Sequence, residues 1–164
     1  MWGPMLPIKP LSKHRWYHLK REEGQTLVEF AFVAMLFLLL LFGIIEFSRA
    51  LWTWNTIVQA TRAGARYAVV EAPTADDAQV KKFVVYHDPS GASSQPVVPG
   101  FNETNVSVQY LMNDGSVSTN KSLADVVQIS VNGYQFNFLV PLFGTGITLP
   151  GFSTTLPLEG LGAS

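Results

Sequence analysis

The chain has 164 residues, a nearly balanced charge (11 Lys and Arg against 12 Asp and Glu) and no cysteine. That length suits one small domain plus an extra segment, and the charge balance gives no basis for a nucleic-acid partner. The lack of cysteine excludes disulfides, thiolate metal sites and a lipidated cysteine anchor.

The first segment is basic. Lys9, Lys13, Arg15, Lys20 and Arg21 crowd ahead of a long apolar run, with His14 and His18 among them. These two histidines and His87 show no metal-ligand spacing, so no metal or other cofactor is expected. Residues 27–47 are then almost wholly apolar, broken only by Glu29 and Glu46. About 20 helical residues cross the roughly 30 Å hydrocarbon core of a bilayer. The leucine-rich, proline-free composition predicts helix, and Gly43 is its one weak point. The cationic flank lies on the N-terminal side. The positive-inside rule therefore puts the N-terminus in the cytoplasm and everything after about Phe47 across the membrane. A cleaved secretory signal has a shorter apolar core and a small-x-small site behind it. Here Glu46-Phe47-Ser48-Arg49 follows the run, which predicts a retained signal anchor.

Glu29 is the sharpest feature of this region. A carboxylate inside a membrane span costs roughly 2.5–3.5 kcal/mol at mid-bilayer and less near the interface. It is therefore read as functional, and it stands five residues after Gly24.

Helical pattern continues past the run. Phe47, Leu51, Trp54, Val58, Ala65 and Ala68 recur at helical spacing, which predicts one apolar face. Arg62 and Arg66 form a small basic ridge elsewhere. Ala60, Ala63, Gly64, Ala65 and Ala68 keep the helix thin enough for close packing, and Phe30, Gly43 and Gly64 are its expected packing positions. Pro73 blocks further helix. One helix over residues 25–70 is expected, roughly 70 Å long at 1.5 Å per residue.

Residues 71–164 read as a small extracytoplasmic α+β domain. A short helix opens at Thr74-Ala75-Asp76-Asp77, with Thr74 as its cap and Asp77 at the capping-box position. Val80, Phe83, Val84 and Tyr86 are its expected buried side, and Asp88-Pro89-Ser90-Gly91 ends it. Residues 92–102 form a loop. Alternation predicts a strand over 105–111, and Asn113-Asp114-Gly115 predicts a turn. Over 126–138, Val127, Ile129 and Val131 take one phase and Tyr134, Phe136 and Phe138 another, with Asn132-Gly133 as a bulge or turn between them. Residues 147–149 and 154–158 are further short extended pieces, and Pro157 confines the last to an edge. The expected fold class is α+β: a long N-terminal transmembrane and amphipathic helix packed on a small antiparallel sheet of three or four strands, with one short extra helix.

No catalytic pattern emerges, so no enzyme and no small-molecule substrate are expected. Asp76 and Asp77 read as a helix start, His87-Asp88 as a helix end, and Ser93-Ser94 as loop. No glycine-rich phosphate loop follows a strand. Three sequons, at Asn102, Asn105 and Asn120, matter only in a glycosylating host.

A basic leader, Gly24, then Gln25-Thr26-Leu27-Val28-Glu29-Phe30 and a leucine-rich run resembles the class III signal peptide of type IV pilins and pseudopilins. Within that group the chain most resembles the TadE-like pseudopilins of tight-adherence (Flp) pilus systems. The resemblance extends through Phe42-Gly43-Ile44-Ile45-Glu46-Phe47-Ser48-Arg49 and Ala60-Thr61-Arg62-Ala63-Gly64-Ala65-Arg66-Tyr67-Ala68. It returns more weakly over 131–149, including Tyr134-Gln135-Phe136-Asn137-Phe138-Leu139-Val140-Pro141-Leu142. Many members carry tyrosine where Phe30 stands.

The resemblance implies a minor pseudopilin whose basic leader, residues 1–24, a membrane prepilin peptidase removes by cutting between Gly24 and Gln25. It implies a bacterial inner-membrane location or the extracellular pilus, with other pilins or pseudopilins and the pilus assembly platform as partners. Cleavage would create an amine on Gln25 at the positive end of the helix dipole, and Glu29 is the nearest carboxylate to pair with it. Two other readings stand beside this one: a signal-anchored membrane protein with an outer binding domain, and a membrane-tethered enzyme.

Overall fold

A computed structural model describes residue 3 and residues 15–71, 76–92 and 95–158, with the side chains of the first helix described from Gly24 onward. The expected cap Thr74, the Ser93-Ser94 pair, and Lys9, Lys13 and His14 of the leader lie outside the described residues, as do the side chains of Arg15, His18, Lys20 and Arg21.

The first helix, α1, covers Arg15–Glu71. It has no internal proline, so nothing interrupts its ladder of backbone hydrogen bonds. Chain contacts divide the protein into two units, Met1–Ile44 and Ile45–Ser164. In the first unit the apolar side chains from Leu27 onward are nearly all exposed. This is the one helix among the described residues long and apolar enough to cross a membrane.

The second unit is α+β. Its share of α1 packs with a second helix, α2 (Asp77–Tyr86), onto strands β1 (Val106–Leu111), β2 (Val126–Val131), β3 (Gln135–Asn137), β4 (Gly146–Thr148) and β5 (Phe152–Pro157). β2 is central, antiparallel to β1 on one side and β5 on the other. Its alternation puts Val127, Ile129 and Val131 into the core, as period-2 geometry requires. Pro157 sits at the end of edge strand β5 opposite Val126, where a missing N–H costs no central ladder bond. The Asn113-Asp114-Gly115 turn is present, with Gly115 at φ 82°.

Three expectations are corrected. Among the described residues there are five strands in two sheets, because at Asn132-Gly133, with Gly133 at φ 70°, the chain leaves the three-stranded sheet and pairs β3 with β4 separately. The α2 cap is Asp76, two residues later than Thr74, and the Gln79 side chain accepts from the Asp76 backbone N–H at 3.1 Å. Asp77 is consequently a first-turn residue. The buried side of α2 is Val80, Val84 and Val85, with Phe83 and Tyr86 only half-buried.

The phase of α1 also differs. Phe47 and Leu51 are exposed, and the buried stripe runs through Glu46, Thr53, Ile57, Ala60, Thr61, Gly64, Ala65 and Ala68. Ala65 and Ala68 of the expected face are buried and Trp54 packs against the core, but apart from Ile57 the stripe is built from small and polar residues, so the large apolar Phe47 and Leu51 do not mark it. Close packing explains the choice. A Cβ added at Gly64 would lie 2.2 Å from Val84 Cγ2 and 3.5 Å from Ile129 Cδ1, so α1 runs against both α2 and β2 at this point.

Candidate assembly site

Two carboxylates on α1 bracket the apolar run, and the structure treats them oppositely. Glu29 is exposed, one turn after Gln25, and its Oε1 accepts from Gln25 Nε2 at 3.2 Å. The i, i+4 spacing puts both side chains on one face of the helix. Gly24 is exposed and helical, and a Cβ added there would meet nothing within 4 Å. Glycine inside a helix weakens it by roughly 0.5–1 kcal/mol relative to alanine, so the Gly24-Gln25 bond lies at an accessible, locally weak turn. Phe30 is exposed and Gly43 half-buried.

Glu46, the first residue after the apolar stretch that ends at Ile45, is 3% exposed. Its Oε1 accepts two consecutive backbone N–H groups, from Leu139 at 2.8 Å and Val140 at 3.0 Å. Its Oε2 is paired with the Arg49 guanidinium, which also lies over the Phe136 ring, 5.0 Å from its centre. Local chain geometry leaves those two N–H groups available. β3 ends at Asn137, and a single 3-10 turn begins at Pro141 (Pro141–Phe143). Residues 139 and 140 thus belong to neither ladder.

A buried carboxylate is tolerated only when paired and hydrogen-bonded, and Glu46 meets both conditions. Nearby, the Tyr134 hydroxyl donates to the Pro99 carbonyl at 2.8 Å. Burial pushes the Tyr134 phenol above its ordinary range, with Arg49 opposing.

The role of Glu46 is not drawn from the sequence reading, where it only interrupts the run. A signal for it exists in the chain: Glu46 and Arg49 are an i, i+3 pair of opposite charge in an otherwise uncharged stretch, 30–61.

The remaining candidates are placed as follows. Asp77 pairs with Lys121 at 2.6 Å. Asp88 accepts from the backbone and hydroxyl of Ser90. Arg62 and Arg66 line an open groove with Gln59, Tyr67 and Phe83, and the Arg62 guanidinium is 5.7 Å from the Phe152 ring centre. Among the described residues no group of three or more His, Asp or Glu is arranged to hold a metal ion.

The family model described as TadE-like protein matches residues 24–66. The matched stretch starts at Gly24 and takes in Glu29, the apolar run, Glu46, Arg49 and Gly64. No curated protein and no solved structure matches the chain.

Proposed function

On the premise that residues 24–66 are a TadE-like segment, we propose that this protein is a membrane-anchored component of a tight-adherence (Flp-type) pilus assembly system, acting as a minor pseudopilin without enzymatic activity. The single observation that carries the reading is that the family match opens on Gly24 and contains Glu29 and the whole exposed apolar run.

In this reading the basic leader stays in the cytoplasm and a prepilin peptidase cuts between Gly24 and Gln25. The exposed, helix-weakening glycine supports that step, because a protease needs access to the backbone it cuts. The new amine on Gln25 then lies one turn from Glu29, a spacing already spanned by the Gln25 side chain. In low dielectric an amine–carboxylate pair is favourable only when well formed, and an unpaired Glu29 is costly. The pair, formed within one subunit or between neighbours, would give each added subunit a defined register.

Mass spectrometry of the protein expressed with a prepilin peptidase tests the proposal. The expected mature N-terminus is Gln25. An intact Gly24-Gln25 bond under those conditions sinks the pseudopilin reading and leaves a signal-anchored protein with an outer binding domain.

A further inference from the structure

We propose that the 139–143 loop is a second membrane contact, in which the Leu139 and Leu142 side chains enter the outer boundary of the lipid bilayer where α1 leaves it.

Three observations meet at this loop. Leu139 and Leu142 are 72% and 67% exposed, as open to the surroundings as the side chains of the apolar run itself. The loop is tied through its own backbone to Glu46, by the N–H groups of Leu139 and Val140, and Glu46 directly follows Ile45, the last residue of that run. The loop is therefore pinned to the turn of helix where lipid-compatible sequence ends. Finally, no Asp, Glu, Lys or Arg occurs anywhere in residues 126–158, so this part of the chain carries no charge that lipid would exclude.

Lipid is favoured over a second protein copy by continuity. While the run crosses the bilayer, the tether to Glu46 holds the loop at its surface whether or not any partner is present. Backbone groups that dip below the boundary into hydrocarbon need internal partners. The Glu46 carboxylate supplies them for residues 139 and 140, and Pro141 has no N–H to satisfy.

The inference rests on the run crossing the membrane, and not on the pilus role. The absence of native cysteine makes a direct test possible. Single variants Leu139→Cys, Leu142→Cys, Val117→Cys and Leu36→Cys of the full chain would be spin-labelled and reconstituted in phosphatidylethanolamine–phosphatidylglycerol vesicles. Collision with oxygen, which partitions into lipid, is compared with collision with a water-soluble nickel chelate.

The expected result is an oxygen-to-nickel ratio at 139 and 142 severalfold above that at Val117, which is 61% exposed, and approaching that at Leu36. A ratio at both loop positions equal to that at Val117, with Leu36 in lipid, overturns the loop proposal alone. A water-like ratio at Leu36 overturns membrane anchoring as well. Dipolar broadening at 139 or 142 that disappears on dilution with unlabelled protein assigns the surface to a second copy and also overturns it.

Discussion

At the scale of single residues, the two glutamates show how environment decides what a carboxylate does. Glu46 makes hydrogen bonds to two N–H groups and an ion pair to Arg49 within one buried site. Hydrogen bonds to a charged group contribute about 1.5–3 kcal/mol, and deleting one partner leaves the others desolvated. Glu46→Ala should therefore speed amide hydrogen exchange at Leu139 and Val140 by roughly 10- to 150-fold, the equivalent of that energy, with β1 and β2 protected as before. Unchanged protection at those two amides would show that the loop is held by something else. Glu29 has no such enclosure and is exposed beside Gln25. Its proposed partner arises only when the leader is cut. Glu29→Ala should accordingly be processed normally and fail in pilus assembly, as judged by the mature mass in membranes and by sheared pili. Normal piliation would remove the role assigned to Glu29.

At the scale of elements, the part of α1 in the second unit packs largely through what is small on it. Gly64 faces Val84 of α2 at a distance that leaves no room for a methyl group. Gly64→Ala gains up to about 1 kcal/mol of helix propensity and incurs an overpacking cost of about 1–3 kcal/mol. A net loss of up to about 2 kcal/mol is expected in urea denaturation followed by near-ultraviolet circular dichroism in detergent. Because the clash is with Val84 Cγ2, the loss should shrink in a Val84→Ala background, with a coupling on the order of 1 kcal/mol. Strict additivity of the two substitutions would place the contact elsewhere. The Asp77–Lys121 pair makes a useful contrast, since both side chains are a third to a half exposed. Such pairs contribute about 0–1 kcal/mol, so it is no match for the Glu46 site as a stabilising contact.

At the scale of the whole molecule, the two units differ in how far they bury their apolar side chains. The core of the second unit includes no residue before Ile57 among its buried apolar side chains, while the first unit leaves its leucines and phenylalanines uncovered. If the first unit's run inserts in a membrane as proposed, its insertion and the folding of the second unit should respond to different substitutions. Leu36→Arg with Leu40→Arg adds an insertion cost of roughly 2.5–3.5 kcal/mol per arginine. The expected outcome is a smaller fraction resisting alkaline extraction, with the tertiary dichroism of the second unit unchanged. Loss of both signals together would mean that the run belongs to the folded core.

The sequence by itself determined the features that depend on local pattern. The leucine-rich, proline-free stretch specified a helix long and apolar enough to cross a membrane, because that depends only on length and composition. Gly24, Gln25 and Glu29 stand, in that order, at the start of the segment that the TadE-like family model matches. Strict alternation in 126–131 put Val127, Ile129 and Val131 in the core, because period 2 leaves only two faces to choose from. Tertiary structure alone decided the rest, since each of these features depends on groups far apart in the chain. Hydropathy alone does not mark the buried face of α1, because apart from Ile57 its stripe is alanine, glycine, threonine and Glu46, although the run of small residues from Ala60 to Ala68 signals close packing. The division into two sheets depended on whether Phe136 found its partner in β2's sheet or in Ile147 of β4. Glu46 became a tether only when residues 139 and 140, more than ninety positions later, brought two unpaired N–H groups to it.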